Sequence, residues 1–332
     1  MRAEILYNVH MKGSFRLLAF LLALLLSTAS GCAPLHSCLH ADEYEQDSAE
    51  KTALWEKLKA DRPAPSQPSG PALTVVAIDV GQGDSILLIS PEGKAMLIDA
   101  GPADAFVSIR ETLSENGIDA LDAAVVTHPH EDHIGAMDDV LDAYPVGTFY
   151  TIEPSFSEER FAPVKRSLER NGCSVCFAEA GATIPWAESC TVTVLNPIPA
   201  YAAEETEMND LSIVLHVQYG DTAVLLTGDA EITAENRMLD TFPRSMLHAD
   251  LLKLGHHGSA NAIDYWFFLG VDPDFAVASC GKDNEYGHPH LETLSLLYDT
   301  RTAFYRTDLD GSITFRLDGT NVFVDPSRKE SP

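Results

Sequence analysis

Three histidines and an aspartate fall within six residues in Thr127-His128-Pro129-His130-Glu131-Asp132-His133, after an apolar run and before an amphipathic one. In extended backbone His128 and His130 project to the same side, because side chains alternate with period two. Asp132 and His133 then open the helix that follows. Two imidazoles can therefore face one metal ion while a carboxylate and an imidazole face a second. Neutral imidazole and carboxylate suit Zn²⁺, Mn²⁺ or Fe²⁺. The competing reading, an exposed polar loop with incidental histidines, does not account for such a density of ligands at a strand end.

Other residues can join them. Asp229 closes Leu225-Leu226-Thr227-Gly228-Asp229, and His256-His257 follow the apolar segment 251–254. Tyr286, His288 and His290 share a loop with Pro289. Gly81-Gln82-Gly83-Asp84 reads as a hairpin turn that needs positive φ. Lys253 lies in a strand pattern, where it would either neutralise a phosphate or form a salt bridge. Each segment alone is commonplace: Thr-Gly-Asp is a frequent turn, and paired histidines also occur as purely structural residues.

The elements that must position these residues read as alternating short patterns. Strands are expected over residues 73–79, 84–89, 95–99 and 123–127, with helices over 103–116 and 134–144. A second series starts near residue 209: a hairpin of 211–217 and 222–227, a helix at 232–239, strands at 251–254 and 275–278, a helix at 291–299 and closing strands at 311–316 and 322–324. Two β-rich halves interleaved with helices predict an α/β fold of two packed sheets with helices outside. Cys173-x-x-Cys176 falls in a strand pattern without a second CxxC, so a structural disulfide or two buried thiols is expected there rather than a redox centre or zinc ribbon.

Residues 1–32 have the order of an export signal: Lys12 and Arg16, the apolar run 17–26, small residues, then Cys32. That run is shorter than the roughly 20 residues a bilayer span needs. Ala29-Ser30-Gly31-Cys32 resembles a lipobox, so the product is expected outside the cytoplasm, as a lipoprotein anchored through Cys32 or as a secreted protein. Residues 33–71 are polar and end in Pro63, Pro65, Pro68 and Pro71, which predicts a flexible tether with one helix around 49–58. The folded domain is expected over 72–326, followed by a tail at 327–332. Fifty acidic residues against 22 basic give a formal net charge of −28. Such a surface repels nucleic acid and anionic membranes at long range, although two divalent ions would restore about four positive charges in one place.

Together these segments resemble the metallo-β-lactamase superfamily, whose HxHxDH signature corresponds to residues 128–133. Leu97-Ile98-Asp99-Ala100-Gly101 is similar to the motif whose aspartate supports the metal loop, and Asp229 stands where the family's bridging aspartate does. More narrowly, Asp79-Val80-Gly81-Gln82-Gly83-Asp84-Ser85, Asn209-Asp210-Leu211-Ser212, Leu252-Lys253-Leu254-Gly255-His256-His257-Gly258-Ser259 and Tyr286-Gly287-His288-Pro289-His290 resemble the hydrolase domain of ComEC competence proteins, in a stand-alone, exported form. The resemblance covers about residues 73–324. It implies an αββα four-layer sandwich and two divalent ions, Zn or Mn, on His128, His130, Asp132, His133, Asp229 and His256. Asp132, His257 and His288 would be the catalytic groups, and Asp84, Asp99, Asn209, Lys253 and Tyr286 would surround the centre or touch substrate. Of His256 and His257, one is expected to bind metal and the other to face the substrate.

The chain departs from the family's lactamase and glyoxalase members at one place. Those carry a third histidine between HxHxDH and the bridging acid, and no match stands here; His216 lies within a strand pattern. Asn209 or Asp210 would then complete the shell, directly or through water. The implied reaction is hydrolysis of a phosphodiester, DNA foremost, by a hydroxide bridging the ions, with protonated His257 or His288 releasing the leaving group. The alternatives are a cell-envelope phosphodiesterase acting on phosphorylcholine or teichoic acid esters, and a non-catalytic surface-anchored protein that binds metal or DNA.

Overall fold

Short runs of Val, Ile and Leu separated by Gly-rich turns become fifteen strands among the described residues of this computed structural model, which are 35–202 and 207–328, with side chains from 48. The expected export signal 1–32, with Cys32, lies outside the described residues, as do 33–34 and 329–332. In chain order the strands are β1 (Leu73–Ala77), β2 (Ile86–Ile89), β3 (Ala95–Ile98), β4 (Leu121–Val125), β5 (Val146–Thr151), β6 (Ser174–Phe177), β7 (Thr183–Ile184), β8 (Cys190–Asn196), β9 (Val214–Tyr219), β10 (Thr222–Leu226), β11 (Leu251–Lys253), β12 (Phe275–Ala278), β13 (Ala303–Arg306), β14 (Ile313–Leu317) and β15 (Val322–Pro326).

They form an eight-stranded sheet, β15-β14-β1-β2-β3-β4-β5-β6, and a seven-stranded sheet, β13-β12-β11-β10-β9-β8-β7. Strands β3 to β6 run parallel in the first, and β10 to β13 in the second. The inner faces meet in one apolar layer, where Val75, Met96 and Val125 oppose Val192, Leu215 and Val224. The outer faces carry Leu87, Leu97 and Ala124 on one side and Leu225, Leu252 and Ala276 on the other, each covered by helices. Burial on both faces is why these strands read as unbroken apolar runs instead of alternating ones. The architecture is the expected αββα sandwich.

The division between sheets differs from the division along the sequence. β7 and β8 precede residue 209 yet belong to the second sheet, whereas β14 and β15 return to the first. β13, a parallel edge strand, had no clear sequence pattern because its four residues include two that are half-buried. Cys173 is half-buried and Cys176 exposed, and both are free thiols, so neither form of the expected CxxC arrangement is present.

The tether also differs. The chain divides into two compact units at residues 50 and 51. Of the first, the described part is helical backbone from Leu35, within α1 (Leu35–Ala60). In the second, Trp55 and Leu58 are buried in the outer core with Phe304. The Arg62 guanidinium lies 4.6 Å from the Trp55 ring and 4.1 Å from the Tyr305 ring, and it donates to both Asp310 oxygens at 2.8 and 2.7 Å. Residues 51–62 are thus part of the folded domain. Their few apolar positions sit among charged ones, which reads as a solvated segment. No described helix is long and apolar enough to cross a membrane.

Candidate metal centre

The centre begins at the carboxyl ends of β3 and β4, which are parallel neighbours. Asp99 follows β3 with a φ of 57° and turns its carboxylate under the next loop. It accepts from the Thr127 backbone N–H at 2.8 Å and from Thr127 Oγ1 at 2.7 Å, and its Oδ2 lies 2.8 Å from His133 Nδ1. Helix α2 (Phe106–Glu115) packs outside this sheet, and α3 (Glu131–Ile134) carries Asp132 and His133 in its first turn. The hairpin after β1 presses on the same loop: Asp84 N donates to the Asp132 carbonyl at 3.0 Å. A Cβ at Gly83 would overlap that carbonyl oxygen, and its φ of 141° also favours glycine.

Four imidazoles converge on one oxygen. Asp229 Oδ2 lies 3.2 Å from His133 Nε2, 3.6 Å from His257 Nε2, 3.8 Å from His256 Nε2 and 3.9 Å from His128 Nε2. His257 Nε2 is also 3.1 Å from Asp132 Oδ2, and His128 Nε2 is 3.0 Å from His130 Nδ1. Ligand atoms sharing a tetrahedral ion at about 2.1 Å stand about 3.4 Å apart, which is this spacing. The buried atoms His133 Nε2 and Asp229 Oδ1 have no hydrogen-bond partner in the protein, as metal-ligating atoms would not. Most of the rings are held from behind through the other nitrogen: His133 by Asp99, His257 by the Ser279 carbonyl at 2.9 Å, His256 by Glu231 Oε1 at 2.9 Å, and His128 by Thr127 Oγ1 at 3.1 Å. Such partners leave the inward nitrogen as the lone-pair donor.

The donor set fits metal ions. The ligand atoms of Asp132, His133, Asp229 and His257 all lie within 4.8 Å of one another. His128 Nε2 approaches the same Asp229 oxygen at 3.9 Å, and His130 Nδ1 lies 3.0 Å from that His128 nitrogen. Asp84, Asp99 and His133 form another close group, but most of its polar atoms are already engaged, Asp84 Oδ1 excepted. Asp99 is taken by Thr127 and His133, and Asp84 Oδ2 by Lys253 Nζ at 2.5 Å. That group is a support, not a site.

The charges agree. Burial holds His128 well below its usual pKa, helped by His133, and burial likewise lowers His130, which favours the neutral form that can ligate a metal. Burial would lower His257 too, but Asp229, Asp132 and Asp84 outweigh it and raise its pKa to about 9. His133 is raised well above the ordinary value by Asp229 and Asp99, again against burial. For Asp229, burial is opposed by His133 and His257, which hold it strongly ionised. The pocket therefore demands positive charge, which protons supply when cations do not.

Several expected roles change. His257, expected to face substrate, is buried within the ligand group, whereas His256 is half-buried at its edge. Lys253 faces no substrate: it is 1% exposed, pairs with Asp84 and donates to the Gly228 carbonyl at 3.1 Å. Asp84 is correspondingly turned inward, beside Lys253 and His257, rather than towards substrate. Asp210 is used up by the backbone N–H groups of Glu231 and Ala234, at the start of the helix Ile232–Thr241. Asn209 Nδ2 donates to Glu231 Oε1 at 3.0 Å. His216 Nε2 meets the His248 carbonyl at 2.9 Å, a structural contact. His288 is buried with its ring centroid 5.4 Å from that of His256 and 6.0 Å from that of His257, and the exposed Tyr286 stacks on it at 5.6 Å. Burial, then His257 and His290, lower the His288 pKa to about 3, so it is neutral and not the protonated donor expected. Sequence reasoning missed Glu231 and the role of Ser212, whose Oγ lies 3.3 Å from His128 Nδ1 and accepts from Asp229 N at 3.2 Å. Their places beside Asp229 and inside the Asn209–Ser212 segment were the available signals.

A family model described as Metallo-beta-lactamase superfamily matches residues 78–172. The chain carries a metallo-β-lactamase domain. The domain is 30% identical over 256 residues to ComE operon protein 3 of Bacillus subtilis (strain 168), an alignment covering 72% of this chain and 32% of that protein. It is 30% identical over 252 residues to Recombination protein 2 of Haemophilus influenzae, covering 74% of this chain and 29% of the relative. The chain thus spans about a third of the length of the curated relatives it matches. Among solved structures, a mutant of CmlA beta-hydroxylase superposes with a TM-score of 0.50 at 12% identity, covering 76% of this chain and 55% of that one. This metallo-β-lactamase domain has the metal-dependent hydrolase fold and is related to the ComEC-type competence proteins.

Proposed function

We propose that this domain hydrolyses phosphodiesters, with DNA as the substrate class, using two divalent ions, Zn or Mn, outside the cytoplasm. The observation that carries this reading is the set of four imidazole nitrogens 3.2–3.9 Å from one Asp229 oxygen. Asp132, His133, Asp229 and His257 would hold one ion, and His128, His130 and Asp229 would share in the other. Ions bound there supply a water acidified to a pKa of about 7 and positive charge for the leaving oxygen. Asp99 and Thr127 keep the ligand loop in place before substrate arrives, so little reorganisation is required. His288 is neutral, and its buried Nδ1 has no protein partner, which suits a hydrogen bond to a phosphoryl or leaving-group oxygen. Tyr286, 57% exposed, offers an aromatic face on the approach to it.

DNA is favoured by two relatives of the chain, one named Recombination protein 2 and one, of Neisseria gonorrhoeae, named Competence protein ComA. The export-signal order of residues 1–32 supports an extracellular setting, with Cys32 as the point of any lipid anchor. The charge of −28 favours a second reading, a cell-envelope phosphodiester as substrate, because that surface opposes approach of a polyanion. The test is incubation with linear single- and double-stranded DNA and with bis(p-nitrophenyl) phosphate, in Mn²⁺ or Zn²⁺, beside Asp132→Ala. Shortened DNA with the wild type and at least about a hundredfold less with the variant is expected. Turnover of the small ester with intact DNA would move the substrate to the envelope. Failure on both would sink the phosphodiesterase reading.

A further inference from the structure

We propose that the rim formed by residues 153–177 is a binding track for single-stranded nucleic acid, with Phe156 and Phe177 as its stacking surface and Arg160, Lys165 and Arg166 as its phosphate contacts. The track rests on the phosphodiesterase reading above and gives the substrate of that site a form and a path. β4, β5 and β6 are parallel neighbours, with Val125 beside Tyr150 and Thr151 beside Phe177. Their carboxyl ends therefore share one edge of the first sheet, the edge at which open α/β sheets bind ligands. The metal loop 127–133 follows β4 there, residues 152–161 follow β5, and Phe177 closes β6. Two strand spacings put Phe177 about 10 Å from the end of β4.

The side chains on this edge are unlike the rest of the chain. Against 50 acidic and 22 basic residues overall, residues 160–170 hold Arg160, Lys165, Arg166 and Arg170 with Glu169 as their one acid. Arg170 is paired with Asp142 at 2.5 Å. Among the described residues no carboxylate pairs with the other three, the neighbouring Glu158 and Glu159 included. Arg160 and Arg166 are exposed, and Arg160 is near enough to His130 for its charge to join burial in lowering that histidine's pKa. Phe161 and Phe149 are fully buried and anchor the segment, with ring centroids 6.2 Å apart. Over them Phe156 is half-buried and Phe177 is 49% exposed, the two rings edge-to-face at 5.7 Å. Lys165 Nζ lies 4.6 Å from the Phe156 ring centroid. Aromatic faces interleaved with free cations match a single strand, whose bases expose their π-faces and whose phosphates seek the cations. In a duplex those faces are covered by neighbouring base pairs. The three cations also give a polyanion a local landing place on a molecule whose net charge of −28 repels it.

The test is fluorescence anisotropy of a labelled phosphorothioate oligothymidylate, whose linkages resist hydrolysis, with the metal-loaded full chain across a salt series. Phe177→Ala should weaken binding about tenfold, and Phe177→Trp should retain it. Replacing Arg160, Lys165 and Arg166 together by Ala should flatten the slope of log affinity against log salt by about 2, since each phosphate contact on a single strand contributes about 0.7. A duplex of the same length should bind more weakly and be indifferent to Phe177→Ala. Unchanged thermal unfolding confirms the fold of each variant. Unaltered strand affinity in Phe177→Ala, an unaltered salt slope in the triple variant, or a duplex bound as tightly as the strand would overturn the track. Strand binding that responds as expected in a chain that cuts neither DNA nor bis(p-nitrophenyl) phosphate would keep the track and sink the hydrolase reading. Turnover of the small ester with variants that bind the strand like wild type would do the reverse.

Discussion

The carboxylate of Asp229 reaches four imidazole nitrogens, and nearly every ring is held by a different polar group from behind. Placement at this scale is set by contacts far apart in sequence, which is why only part of it was legible. His128, His130, Asp132 and His133 announce themselves by spacing. The division of labour between His256 and His257 does not, because it depends on two left-handed residues that no periodicity encodes. Lys253 shows a second limit: a charged residue in a strand reads equally as substrate contact or buried pair, and only the 2.5 Å contact with Asp84 decides. Breaking a buried pair strands the remaining charge. Lys253→Met should therefore destabilise the fold by about 3–5 kcal/mol, and adding Asp84→Asn should restore most of it. Urea denaturation of the two variants checks this; equal loss in single and double variants would contradict the pair's role.

Among elements, the strand–loop–helix from β4 to α3 was legible because apolar strand, ligand loop and helix start follow without interruption. Sheet membership was not, since β8 joins β9 in the second sheet across a long connection that local patterns cannot reveal. The helix before the domain was misjudged for a related reason: Trp55 and Leu58 are sparse anchors, and their partner Phe304 is distant in sequence. Trp55 is 8% exposed and meets the Phe304 ring edge-on at 5.9 Å. Trp55→Ala should cost about 3–5 kcal/mol by leaving a cavity and freeing Arg62 from its aromatic bracket. A shift in the denaturation midpoint reports it. An unchanged midpoint would return residues 51–62 to the status of a tether.

For the whole molecule, the acidic surface and the cation-seeking centre act together. A charge of −28 draws divalent ions while opposing polyanions. Acid should act on the fold through His288, whose pKa is depressed from 6.5 to about 3. The unfolded chain takes up a proton there near pH 6.5 and the folded one does not. That contribution to stability is present above pH 6.5 and is lost as pH falls towards about 3. Chelator-treated protein should therefore lose stability across this window, with a shallower decline in His288→Asn; parallel curves would contradict it. The central claim concerns where the ions sit. An anomalous-scattering map of crystals soaked in Zn²⁺ or Mn²⁺ should show two peaks flanking Asp229, one beside Asp132, His133 and His257 and one beside His128 and His130. A single peak among Asp84, Asp99 and His133, or none near Asp229, would contradict it.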